Sequence, residues 1–182
     1  MPLTISFELS DRDLEFFSNR MAQAKAKMSA VGEAEVAHSA QRLLEEMKQA
    51  ELPDFVRERV VILEQLVAIL LDTGWKLSGE DRARIANAIA YVADPDDLIP
   101  DHIPGLGYID DAMMIDMVAK ELRHDLQAYE DFCKFREKEK ERLGKLEDPF
   151  TQEKFIATRR AQLQERMNRR RASMRERNFW RH

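Results

Sequence analysis

YVADPDDLIPDHIPGLGYIDD, residues 91–111, holds three of the chain's six prolines and two of its six glycines. Asp94-Pro95-Asp96-Asp97 has the form of a helix start, with Asp as cap and Pro at the first helical position. Pro100 pushes Ile99 out of the α region, so that helix lasts about one turn. Pro104-Gly105 suits the central pair of a type II turn. Asp110 is then expected to cap the next helix, with Asp111 beside it at the positive end of the dipole. The stretch predicts a short, rigid, acidic connection between two packed helices.

Working outward from that connection, the pattern is helical on both sides. Upstream, Ser78 reads as an N-cap with Glu80 and Asp81 in the first turn, and Ile85, Ile89 and Val92 share one face. Before it, residues 53–73 are apolar at Val56, Val60, Leu63, Val67 and Leu70 and again at Val61, Leu66 and Leu71. Two apolar faces predict a central, mostly buried helix that ends at Gly74. A second helix carries Val36, Ala40, Leu43 and Met47. The first starts at Ser10, after an alternating stretch (Leu3 to Leu9) that could be extended. Downstream, a long helix begins at Asp110 or Asp111 and carries Met114, Val118, Leu122, Leu126, Tyr129 and Cys133. Its charged continuation, Lys134 to Arg142, is expected to run into solvent. Gly144 and Asp148-Pro149 mark a joint before a last, arginine-rich helix.

The expected architecture is all-α: a bundle of about five helices with a long charged fifth helix and a basic C-terminal helix. Three regions follow: N-terminal helices at 1–52, a helical core at 53–133, and a charged extension with a basic tail at 134–182.

Composition supports this and narrows the function. Of 182 residues, 44% are apolar, enough for a core, and 35% are charged, which demands long solvated faces. The single cysteine, Cys133, cannot form an internal disulfide, so a reducing, cytoplasmic setting is expected. Met1 to Asp11 has neither the basic start nor the apolar stretch of a secretory signal. The most apolar run, Leu66 to Leu71, is far shorter than the roughly 20 residues of a membrane-spanning helix. From residue 154 onward ten Lys/Arg face two Glu, whereas residues 1–153 carry 19 Lys/Arg against 32 Asp/Glu. An acidic body thus bears a basic tail.

The chemistry of the acidic stretch has two readings. In the structural one, Asp94 and Asp110 satisfy backbone N–H groups at helix starts, and Asp96, Asp97 and Asp111 favour the dipole. In the other, Asp97, Asp101, Asp110 and Asp111 converge on a hard divalent cation, Mg²⁺ or Ca²⁺, which prefers carboxylate oxygens. The spacing is not that of an EF-hand, since counting from Asp94 the sixth position is Ile99 rather than Gly. His124-Asp125 lacks the further ligands of a His-Asp metal site and is expected on a solvated polar face. Cys133 falls on an apolar stripe, as a packed thiol does. With no Gly-x-Ser-x-Gly and no glycine-rich phosphate loop, no catalytic constellation is complete. The tail residues Arg159, Arg160, Arg166, Arg169, Arg170, Arg171 and Arg175 could meet nucleic acid or an anionic membrane surface. Alternatively, they dock on the acidic body of the same chain or a partner.

The motif Tyr91, Pro95, Asp97, Leu98, Ile99, Pro100, Asp101, Ile103, Pro104, Gly107, Asp110 and Asp111 resembles that of the YkvA-like helical domains of unknown function. Asp94 stands where that family has Ser or Asn, and Asp96 and His102 where relatives are often apolar. Many relatives look membrane-associated, and those polar substitutions fit a soluble member. The resemblance covers about Arg82 to Leu126. It implies a helical module, with Tyr91, Asp94, Pro95, Asp97, Pro100, Asp101, Pro104, Gly107, Asp110 and Asp111 as its structural motif and no activity to carry over. The expected function is therefore a non-enzymatic interaction or scaffold module with no cofactor, working with a protein partner or as a homo-oligomer. A divalent-metal activity at Asp97–Asp111 and tail binding to nucleic acid or membrane are the alternatives.

Overall fold

The structure, a computed structural model, describes residues 10–28, 32–92, 108–143 and 149–179. Among these the chain forms seven helices and no strand, an all-α fold with more helices than the five or so expected. α1 (Asp11–Met28) opens on a capping box. The Ser10 hydroxyl donates to the Asp13 carboxylate at 2.6 Å, and the Asp13 N–H returns to Ser10 Oγ at 3.4 Å. α4 (Gly79–Val92) opens the same way, with the Ser78 hydroxyl donating to Asp81 at 2.9 Å and the Asp81 N–H to Ser78 Oγ at 3.2 Å. The extended stretch expected at 3–9 lies outside the described residues.

α3 (Asp54–Leu71) is the hub, packing against α2 (Glu33–Gln49), α4, α5 (Ile109–Glu121) and α6 (Arg123–Leu143), while α1 lies along α4. Val56, Val60, Leu63, Leu66, Val67, Ile69 and Leu70 are all buried, as two apolar faces require. The helix stops at Leu71, before the expected Gly74, because Asp72 turns the chain. Its Oδ1 accepts the Gly74 N–H at 2.8 Å, and its carbonyl accepts the Trp75 N–H at 3.1 Å. A Cβ on Gly74 would lie 3.0 Å from that Oδ1 and 3.2 Å from Arg136 Nη1, so a larger residue would push on the Asp72–Arg136 pair. Trp75 then drops into the core against Tyr129 (edge-on, centroids 5.8 Å apart) and Phe132 (5.0 Å).

The single long fifth helix is in fact two. The backbone of Leu122 bends (φ −93°, ψ 13°), and its carbonyl accepts the N–H groups of both Asp125 and Leu126. Neither proline nor glycine marks the place, and Leu122 is fully buried. Nor does the charged stretch 134–142 run free. α7 (Pro149–Phe179) starts at the proline predicted to restart a helix and folds back antiparallel along α6. The pairing keeps step every four residues. Arg123 meets Met174, Gln127 meets Arg170, and Asp131 meets Arg166. Leu163 and Met167 are fully buried in this seam, each worth about 1.5–3 kcal/mol relative to exposure.

Candidate functional site

α4 leads into the acidic motif and α5 leads out of it. Of the motif residues, Asp94, Pro95, Asp97, Pro100, Asp101, Pro104 and Gly107 lie outside the described residues, and Tyr91 is described in its backbone alone. Asp110 and Asp111 are described, and both side chains are only 7% exposed. They occupy the first turn of α5 rather than its cap. The cap is Tyr108, which makes no side-chain capping bond and takes a left-handed backbone (φ 65°, ψ 7°), so the cap lies two residues before the expected Asp110. Placed there, both carboxylates face the positive end of the α5 dipole. Among the described residues no three His, Cys, Asp or Glu side chains are grouped to hold a metal ion. A set drawn on Asp97 and Asp101 lies outside them.

Most of the described tail arginines contact the chain's own helices. Arg160 Nη1 donates to the Gly74 carbonyl at 2.9 Å, and Gln164 Nε2 to the Trp75 carbonyl at 2.8 Å, so α7 grips the turn between α3 and α4. Arg159 lies over the Phe135 ring, Arg166 pairs with Asp131, and Arg170 Nη1 donates to Gln127 at 2.9 Å. Arg169 remains on the outer face, 3.6 Å from Glu165. The side chain of Arg175 is outside the described residues.

Arg171 reaches farthest. Its Nε and Nη2 meet the two carboxylate oxygens of Asp125 on α6, and its Nη1 lies 2.5 Å from Asp81 on α4. Arg84 of α4 pairs with the same Asp125 and approaches Asp81 at 3.7 Å. Asp125, expected on a solvated face beside His124, is instead 2% exposed. Two guanidiniums make that burial tolerable, since a carboxylate taken out of water needs both opposite charge and hydrogen bonds. Sequence reasoning missed this four-residue cluster. The one available signal was the opposite charge of body and tail.

A second polar knot sits under the α3–α4 turn. Asp72 Oδ2 accepts from the Tyr129 hydroxyl at 3.0 Å and pairs with Arg136 Nη1 at 2.7 Å. Burial raises the Asp72 carboxyl. The bonds from Tyr129, the Gly74 N–H and Arg136 outweigh that and hold it below the ordinary value of 3.8. Burial also pushes the Tyr129 phenol far above its usual value, with Cys133 and Asp72 adding to the effect, so it stays a hydrogen-bond donor. Both knots are hydrogen-bonded groups of opposite charge that join neighbouring helices.

No curated protein and no solved structure matches the chain. Residues 81–115 match the family described as Protein of unknown function (DUF1232), a stretch that runs from α4 through the acidic motif into α5. It includes Asp81 and Arg84 of the charge cluster as well as the motif behind the YkvA-like resemblance, and the match is to a domain of unknown function.

Proposed function

We propose that the chain is a non-enzymatic helical scaffold, in which the α6–α7 hairpin braces the family segment and offers its far end to a protein partner or a second copy. The observation that carries this is the direction of the tail's side chains. Arg160, Arg166 and Arg171 are spent on the chain's own turn and acidic residues, and Arg170 on Gln127 of α6. That use supports a structural role for α7 over a phosphate-binding one, which needs guanidiniums facing outward. Past the contact of Arg160 with Gly74, the remaining turns of α7 toward Pro149 extend about 16 Å at roughly 1.5 Å per residue. There they run beside α6, with Arg142 over the Phe155 ring and that ring 51% exposed. An exposed aromatic at the end of a charged hairpin is the residue type that anchors protein contacts. No described helix is long and apolar enough to cross a membrane, and the lone cysteine supports a cytoplasmic setting.

Light scattering over a concentration series tests the reading, with Phe155→Glu as the variant. Self-association or partner capture by the full chain, lost in the variant, supports it. A chain that stays monomeric and captures nothing from its host's extract, or a variant that behaves as the parent does, removes it.

A further inference from the structure

The Asp81–Arg84–Asp125–Arg171 cluster ties the family segment to a helix 31 residues long that lies wholly outside that segment. Beyond that cluster, α7 lies antiparallel along α6. Leu163 and Met167 are its buried side chains among the described residues. Its other ties are mostly polar, from Arg160 and Gln164 to the 74–76 turn, from Arg166 to Asp131 and from Arg170 to Gln127, with Ile156 half-buried against the core. Elements held by few apolar contacts and many polar ones open locally at a lower cost than a core does.

We propose that α7 is a releasable strap over the family segment and that Arg171 is its latch. Its guanidinium bridges α4 and α6 at once, through Asp81 and Asp125. The decisive feature is what remains when it leaves. Asp125 keeps Arg84, and Asp81 keeps both the Ser78 hydroxyl and Arg84. Neither carboxylate is left buried beside no cation, so release of α7 does not carry the penalty that breaks a buried pair and need not unfold the body. It does loosen the first turns of α4, the helix that runs directly into the acidic motif. A protein that seizes the hairpin would thereby change the freedom of α4. This coupling goes beyond a scaffold's passive role and holds whatever the partner is.

Hydrogen exchange followed by mass spectrometry on the full chain tests it, comparing the parent with Arg171→Gln and Arg171→Lys. In Arg171→Gln, amides of 163–174 and of 82–88 should exchange faster together, by about tenfold or more, while 56–70 of α3 keep the parental rate. Arg171→Lys keeps the charge but loses the fork and should fall between the two. Faster exchange in α7 with 82–88 unchanged would overturn the coupling. No change anywhere would remove Arg171 as the latch. A matching rise in α3 would make α7 an inseparable part of the core. If Arg171→Gln does not fold, Arg171→Lys is judged against the parent by the same three criteria.

Discussion

Arg171 meets both carboxylate oxygens of Asp125 from across the α6–α7 seam, and its remaining nitrogen reaches Asp81 at 2.5 Å. One side chain near the C-terminus therefore closes on two helices. Such a cluster is not a large net source of stability, because the desolvation of three or four charges offsets most of their attraction. Its effect is on geometry. The planar fork admits one approach to Asp125, and that approach sets how α7 lies against α4.

Removing the shared carboxylate should cost more than removing the latch. Asp125→Ala leaves Arg84 and Arg171 with Asp81 as their one shared carboxylate, and Arg84 cannot leave because it belongs to α4. A loss of about 3–5 kcal/mol is expected, the range for breaking one side of a buried pair. Arg171→Ala leaves Asp125 paired with Arg84 and should cost clearly less. Urea midpoints read at equal m-values give the order; equal or reversed losses would mean that the two guanidiniums do not share one carboxylate as described.

Asp72 predicts an acid-side dependence. Its carboxyl lies below 3.8 in the folded chain, so the folded state binds its proton less readily than the unfolded state does. The stabilisation is therefore fully present above the unfolded value and is lost as pH falls through the depressed folded one. Asp72→Asn should lower the melting temperature near neutral pH, where the Arg136 pair is broken, and differ less from the parent below about pH 3. The parent and variant are compared by thermal melts at stepped pH. A gap that widens toward acid would contradict the sign.

Much of this fold was legible because its signals are local. Ser10 and Ser78 announce their helices through an Asp three residues on, and α3 shows its central position in apolar residues on two faces. Asp125 was misread for the opposite reason. Its neighbours Arg123 and His124 suggest a surface, while the partners that permit its burial, Arg84 and Arg171, lie 41 and 46 positions away. Periodicity carries no information about such pairs. The break at Leu122 was equally silent, since neither proline nor glycine stands there. At the candidate site, proline and glycine marked the motif. The true start of α5 was hidden by Tyr108, a residue that does not advertise a left-handed backbone.

Lys76 offers a test of the turn itself. It holds a left-handed backbone (φ 50°) on the surface, just after buried Trp75. A non-glycine residue pays about 1–2 kcal/mol in that region, and glycine gives part of it back through its freer unfolded chain. Lys76→Gly should therefore stabilise by about 0.5–1 kcal/mol, and Lys76→Val, branched at Cβ, should destabilise. Denaturant midpoints in the order Gly, Lys, Val confirm the conformation. A loss in Lys76→Gly would mean that the Lys76 side chain, not the backbone, matters there.

The acidic motif can be separated into structure or coordination by its response to cations. Asp110 and Asp111 sit at the α5 amino terminus, where the helix dipole already favours their charge. If that is their whole role, Mg²⁺, Mn²⁺ and Ca²⁺ leave the melting temperature where it was. Asp111→Asn then costs the same with or without them. A bound ion behaves differently, because at about 100 times its dissociation constant it adds about 2.7 kcal/mol to the folded state. For a chain of this size that is a rise of roughly 5–11 °C. Asp97→Asn with Asp111→Asn should abolish such a rise if those carboxylates supply the ligands. A rise of that size, lost in the double variant, would transfer the motif from helix capping to metal binding and make a divalent-cation activity the better account of the family segment.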